Sequence, residues 1–290
     1  MRAIPKIQQN SRAIPNSFIP CQALLFRFVN SKPIMPRLVF TALFLAFALQ
    51  LHADDAPNPV FVHRAQAAFQ DAKAQLDSHP NDTNALATLA RTAFDWADIQ
   101  TTDSPRKSIA NAGISAAQHL IAIDPGSVPG HYYLGLDLGE LAETETLGAL
   151  KLVRQMESEF ILVLHTNAAF DYAGPDRNLG LLYRDAPGWP ASIGNRAKAR
   201  EHLDKAYKIA PNYPESLMNL IESELKWDQS TAAQSHLQTL DQLWPKARQE
   251  FSGQQWESAW ADWSKRRDDA RKKLSSPSAA PPAVSPHNQP

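Results

Sequence analysis

Residues 211–245 read PNYPESLMNLIESELKWDQSTAAQSHLQTLDQLWP. Its two prolines, Pro211 and Pro245, stand 34 residues apart with two helical patterns between them. Leu217 and Leu220 fall on one face of the first pattern, and Ala233 and Leu237 on one face of the second. Three- and four-residue spacing of apolar side chains is the signature of an amphipathic helix. Two such helices separated by a short polar break meet as an antiparallel pair. Ala233 lets the backbones approach, and the leucines fill the space beside it.

The same pairing recurs towards the N-terminus. Leu179-Gly180 and Tyr183 mark a first helix, and Ala199, Leu203 and Ala206 lead to Pro211 on a second. An earlier unit opens with His131-Tyr132-Tyr133-Leu134-Gly135 after Pro125. The first unit runs from Leu86, Leu89 and Ala90 through Leu120 to Pro125, with the weakest pattern. Asp124-Pro125, Ala210-Pro211 and Trp244-Pro245 read as helix stops, since proline cannot continue the ladder and restricts the residue before it. Helices are expected near 59–78, 82–99, 105–123, 128–142, 146–164, 173–185, 194–209, 214–227, 230–243 and 247–273. No alternating strand pattern interrupts them.

Repetition at a fixed period identifies stacked supersecondary units that bury a continuous core. The Leu-Gly-x-x-Tyr run, central Ala and terminal Pro together resemble the tetratricopeptide repeat (TPR). The expected architecture is an all-α helical-hairpin repeat solenoid of about four degenerate units over roughly 82–245, with N-terminal and C-terminal capping helices. Within the third unit, Asp171-Tyr172-Ala173-Gly174-Pro175-Asp176-Arg177 through Tyr183, Asp185-Ala186-Pro187-Gly188-Trp189-Pro190 and Ile193-Gly194-Asn195-Arg196 are similar to the periplasmic T component of TRAP-type transporters. That resemblance implies a solute-binding protein of a transporter as partner. The family is typically lipid-anchored, and this chain lacks the lipobox Cys.

The ends differ from the body. The first 53 residues hold six of the 29 Lys and Arg and none of the 30 Asp and Glu, so the remainder carries 23 basic against 30 acidic groups. An acidic body offers no basic footprint for nucleic acid. Residues 38–51 form an apolar run behind Arg37, followed by Leu51-His52-Ala53. Charge, apolar stretch and small residue make a secretory signal peptide. Met35 is therefore the expected start, residues 1–34 an upstream extension, and Asp54 the first residue of a periplasmic or secreted chain. An uncleaved anchor is the alternative, and would be its membrane attachment. The domain is expected over 54–274, and the Pro-, Ser- and Ala-rich 275–290 as a disordered tail. The single cysteine, Cys21, lies in the leader, so the body has no thiol chemistry.

Neither a His-x-x-x-His spacing nor a Gly-x-Ser-x-Gly, P-loop or Gly-x-Gly-x-x-Gly run occurs. The chain is read as no enzyme, without cofactor or metal. Candidate binding residues are His131 and Tyr132 on a first helix, Tyr172, Asp176 and Arg177 at the start of the third unit, and Trp189 in its Pro- and Gly-rich loop. A rigid loop presents an aromatic anchor at low entropic cost. The alternatives are that Trp189 packs down, that the Asp and Arg residues cap the helix, and that one of Tyr132 and Tyr133 is core. Trp256, Trp260 and Trp263 share a face of the last helix and are read as closing the final repeat. The leading expectation is a scaffold that binds a protein or peptide. The second is a carrier enclosing a small molecule in a pocket lined by aromatics and Arg177.

Overall fold

A computed structural model describes residues 57–145 and 148–275. The expectations for residues 1–53 and for the tail beyond Ser275 lie outside these residues. Among the described residues there are ten α-helices and one 3-10 turn, and no strand beyond an isolated bridge between Gly188 and Gly194. The helices are α1 (Pro59–Ser78), α2 (Thr83–Asp98), α3 (Asp103–Ile123), α4 (Val128–Glu143), α5 (Ala149–Asn167), α6 (Phe170–Asp185), α7 (Arg196–Ile209), α8 (Pro214–Lys226), α9 (Ser230–Glu250) and α10 (Glu257–Ser275).

Consecutive helices pair as α2/α3, α4/α5, α6/α7 and α8/α9, so four hairpins stand between α1 and α10. Neighbouring first helices also touch, α2 on α4 and α6 on α8. Burial identifies the inner layer. Ten of the 16 residues of both α2 and α4, and ten of 13 in α8, are buried, against three of 14 in α7 and four of 21 in α9. First helices touch neighbours on several sides, whereas second helices keep a broad wet face. The architecture is thus an all-α solenoid of TPR type.

Local sequence sets several helix starts. Asn58, Asp82, Ser127 and Asn195 each accept a hydrogen bond from an amide of the first turn, satisfying a donor the helix leaves open. Pro59 and Pro214 stand at first helical positions, where the missing N–H costs nothing. Helices meet closely at glycines. A Cβ on Gly180 would come within 2.7 Å of Leu203, and one on Gly135 within 2.6 Å of the Phe160 ring.

Pro245 does not stop a helix. It lies inside α9, which continues to Glu250, and the last helix begins at Glu257 rather than near 247. Packing overrides the lost backbone bond there. Trp244 meets Trp260 edge to face at 5.0 Å, Arg248 lies over Trp260, and Ala247 and Phe251 are buried in the same core. Gly253, at φ 97°, then reverses the chain, a conformation that suits glycine. Trp256, Trp260 and Trp263 are buried against α8 and Tyr213, so α10 closes the final repeat as expected.

Candidate functional site

The third unit enters its first helix through three consecutive left-handed residues, Asp171, Tyr172 and Ala173, at φ 48°, 53° and 62°. None is glycine, and each such residue costs ~1–2 kcal/mol. Their surroundings hold them in place. Arg177 donates from one guanidinium nitrogen to the Asp171 carbonyl at 2.6 Å and to the Tyr172 carbonyl. From the other it reaches the Asp171 carboxylate at 3.0 Å. The Tyr132 hydroxyl donates to that carboxylate and accepts from the Asn178 side-chain amide at 3.2 Å. The Tyr172 ring stacks on Tyr213 at 4.6 Å, and the Arg177 guanidinium lies over Tyr213 at 4.8 Å. Gly174 is part of the device, because a Cβ there would overlap the Tyr132 hydroxyl. Burial pushes the Asp171 carboxyl up, although Arg177 and Tyr132 pull it down.

The structure therefore brings Tyr132, Tyr172 and Arg177 together around Asp171. Tyr132 is wholly buried and Arg177 is 2 % exposed, so both act within the core. Asp176 faces the other way and pairs with His202 of α7 at 2.8 Å. His131 points to the outer helix α5, with Glu159 at 2.6 Å and the Pro125 carbonyl at 3.0 Å. Burial pulls the His131 pKa down, but the Pro125 carbonyl and Glu159 raise it on balance.

Trp189 stands apart from this cluster. It is 89 % exposed, while the other six of the chain's seven tryptophans are buried or half-buried. The loop that carries it is closed on itself. Gly194 N donates to the Pro187 carbonyl at 2.9 Å, and Ala191 and Ser192 donate to the Gly188 carbonyl. Asn195 N donates to the Tyr183 carbonyl at 2.8 Å, tying the loop's end to α6. At Gly194 a Cβ would overlap the Ala186 carbonyl, so two strands of the loop pack backbone to backbone. Proline, glycine and these bonds fix a frame from which one indole projects into solvent.

A depression of about 400 Å³ lies elsewhere, lined by Arg200, Asp228, Gln229, Ser230, Thr231 and Ala232. No aromatic residue lines it and Arg177 does not reach it. Among the described residues no group of three or more His, Cys, Asp or Glu is arranged to hold a metal ion. No helix among them is long and apolar enough to cross a membrane.

Two polar groupings, each of buried and half-buried residues, escape a reading of the sequence. Arg266 of α10 is clamped by Glu215 at 2.9 Å, Glu222 at 2.7 Å and Asn219 at 3.1 Å on α8, beside the Trp263 indole, which donates to Glu215 at 2.7 Å. Asp95, Asp98, Asp137 and Glu140 converge between α2 and α4. Their three-residue spacing within apolar helices is the available signal, since it places acids on the same turns that face the core.

The stacked helix pairs make the fold a helical-repeat solenoid of TPR type. Among solved structures, TTC0263, a thermophilic TPR protein in Thermus thermophilus, shares it with a TM-score of 0.55 at 21 % identity, over 79 % of this chain and 97 % of that one. MamA is a more distant likeness, with a TM-score of 0.44 at 18 % identity over 63 % and 90 %. No family model and no curated protein matches the chain.

Proposed function

We propose that the protein is a helical-repeat scaffold that binds a protein or peptide partner, with Trp189 as the anchor of the contact. The observation that carries this reading is the 89 % exposure of Trp189 on an internally bonded loop. An exposed indole on a rigid frame loses little entropy when it is covered and supplies a large apolar area. The likeness of residues 171–199 to TRAP-type T components supports a transporter's solute-binding protein as that partner, met outside the cytoplasm after export under the leader at 35–53. The enclosed-carrier reading has less support, because Arg177 is committed to backbone carbonyls and the Asp171 carboxylate.

The test is capture from an envelope extract with the chain from Asp54 to Pro290, beside Trp189→Ala and, as a surface control, Leu162→Ala (49 % exposed on α5). A protein retained by the parent and the control and lost with Trp189→Ala supports the anchor. Equal retention by all three removes Trp189 from the contact. A small molecule that co-purifies without a protein would replace the scaffold by the carrier.

A further inference from the structure

Four acids meet at the joint between the first two repeats, Asp95, Asp137 and Glu140 buried and Asp98 half-buried. Asp137 of α4 is wholly buried, and neither of its carboxyl oxygens has a hydrogen-bond partner. Gly113 of α3 makes room for it, since a Cβ there would overlap the carboxyl group. Glu140, one turn on, is 1 % exposed and has an oxygen with no hydrogen bond, 3.7 Å from the Arg106 guanidinium. Arg106 is occupied elsewhere, by an ion pair with Glu143 and a hydrogen bond to the Gln100 carbonyl at 2.6 Å. Asp95 of α2 is 7 % exposed and faces Asp137, and Asp98 lies one turn further along, near Glu140.

The groups that act on these acids come from five helices. They are Arg91 on α2, Arg106 on α3, Glu143 on α4, Asp171 on α6 and Asp262 on α10. Two arginines thus face the four acids, and three further carboxyl groups surround them. An ionised carboxylate without partner or solvent is strongly disfavoured in such a place, and like charges disfavour it further. The neutral acid is the form that fits.

We propose that the α2–α4 joint is a proton-dependent latch, closed while Asp95, Asp98, Asp137 and Glu140 hold protons and loosened as they lose them. Burial pushes Asp95 up to about 7, though Arg91 opposes it. Burial and the neighbouring acids push Asp98, Asp137 and Glu140 well above the usual carboxylate range. In the unfolded chain carboxylates titrate near ~4. Above that pH the folded state binds more protons than the unfolded one, so its stability falls as pH rises. For Asp95 the fall spans the interval from its ordinary value of 3.8 to about 7. The array is therefore tightest on the acid side, and its first two repeats uncouple towards neutral and alkaline pH.

The test uses the intact chain and Asp137→Asn, a neutral side chain of the same shape. Thermal unfolding is followed at pH 5 and pH 8. Hydrogen exchange, corrected for the intrinsic rate, is read for peptides of α2 and α4 against α9. The parent is expected to lose about 10 °C or more in Tm between the two pH values, with protection in α2 and α4 falling about tenfold or more while α9 holds. Asp137→Asn is expected to lose distinctly less. His131 and His236, whose pKa values are raised, titrate equally in both proteins, so the difference isolates the joint. Asp95→Asn repeats the comparison at the other helix and decides the matter if Asp137→Asn does not fold. A parent as stable at pH 8 as at pH 5 would overturn the latch, as would variants that lose as much as the parent.

Discussion

Replacing Arg177 by Met tests whether the entry to the third unit is a structural keystone. The methionine keeps much of the aliphatic stem and removes the guanidinium. Two backbone carbonyls lose the guanidinium donor, the Asp171 carboxylate keeps the Tyr132 hydroxyl but loses its cation, and Tyr213 loses the cation above its ring. Removing one partner of a buried ion pair costs about 3–5 kcal/mol, because the other charge stays behind. Each carbonyl left without a partner adds up to ~1–3 kcal/mol. Two relaxations offset part of this. Asp171 can take up a proton, since burial already pushes it up, and the left-handed turn, freed of its clamp, can release strain of ~1–3 kcal/mol per residue. A net loss of about 4 kcal/mol follows, which in a domain of this size lowers Tm by ~8–16 °C. Far-UV circular dichroism during heating and urea titration measures it. Asp171→Asn combined with Arg177→Met is expected to lose less than the sum of the single variants, because the stranded charge is gone. A single variant within about 1 kcal/mol of the parent would refute the reasoning and leave Arg177 open to a role in ligand binding.

Gly180→Val places a branched side chain where even a Cβ would stand 2.7 Å from Leu203 side-chain carbons and 3.2 Å from its backbone nitrogen. Overpacking of about 1–3 kcal/mol is expected, read as a lower urea midpoint, and an unchanged midpoint would show that α6 and α7 can slide apart freely. Trp263→Phe removes the indole donor from Glu215, at a site with no exposure, and is expected to lose about 2–3 kcal/mol in urea titration through the missing bond and the space left by the smaller ring.

Much of the fold is legible along the chain. Leu217, Leu220, Ala233 and Leu237 are all buried between α8 and α9 as their spacing requires, and Trp256, Trp260 and Trp263 cover the last repeat. Helical period and close-packing positions are local properties, set by side chains one or two turns apart. Pro245 misleads because a local rule meets a tertiary one: the α9 segment beyond it is held by Trp260 and by the buried Ala247 and Phe251. The site is less legible. Asp176 and Arg177 are adjacent in sequence but serve different helices, His202 of α7 for one and the left-handed turn for the other.

The helix pairs and the closing tryptophan face follow from local sequence, because each rests on side chains within a few turns of one another, but the 34-residue period does not hold: the four hairpins begin at Thr83, Val128, Phe170 and Pro214, 42 to 45 residues apart, because Pro245 lies inside α9 and does not end its unit. That Trp189 points outward while Tyr132 and Arg177 lie inside, and that Asp95, Asp98, Asp137 and Glu140 meet, comes from the packing of one repeat on the next. Exposure and charge pairing are set by what neighbouring repeats bring to a position, and the stacking of helices that lie far apart in the chain is what supplies those neighbours.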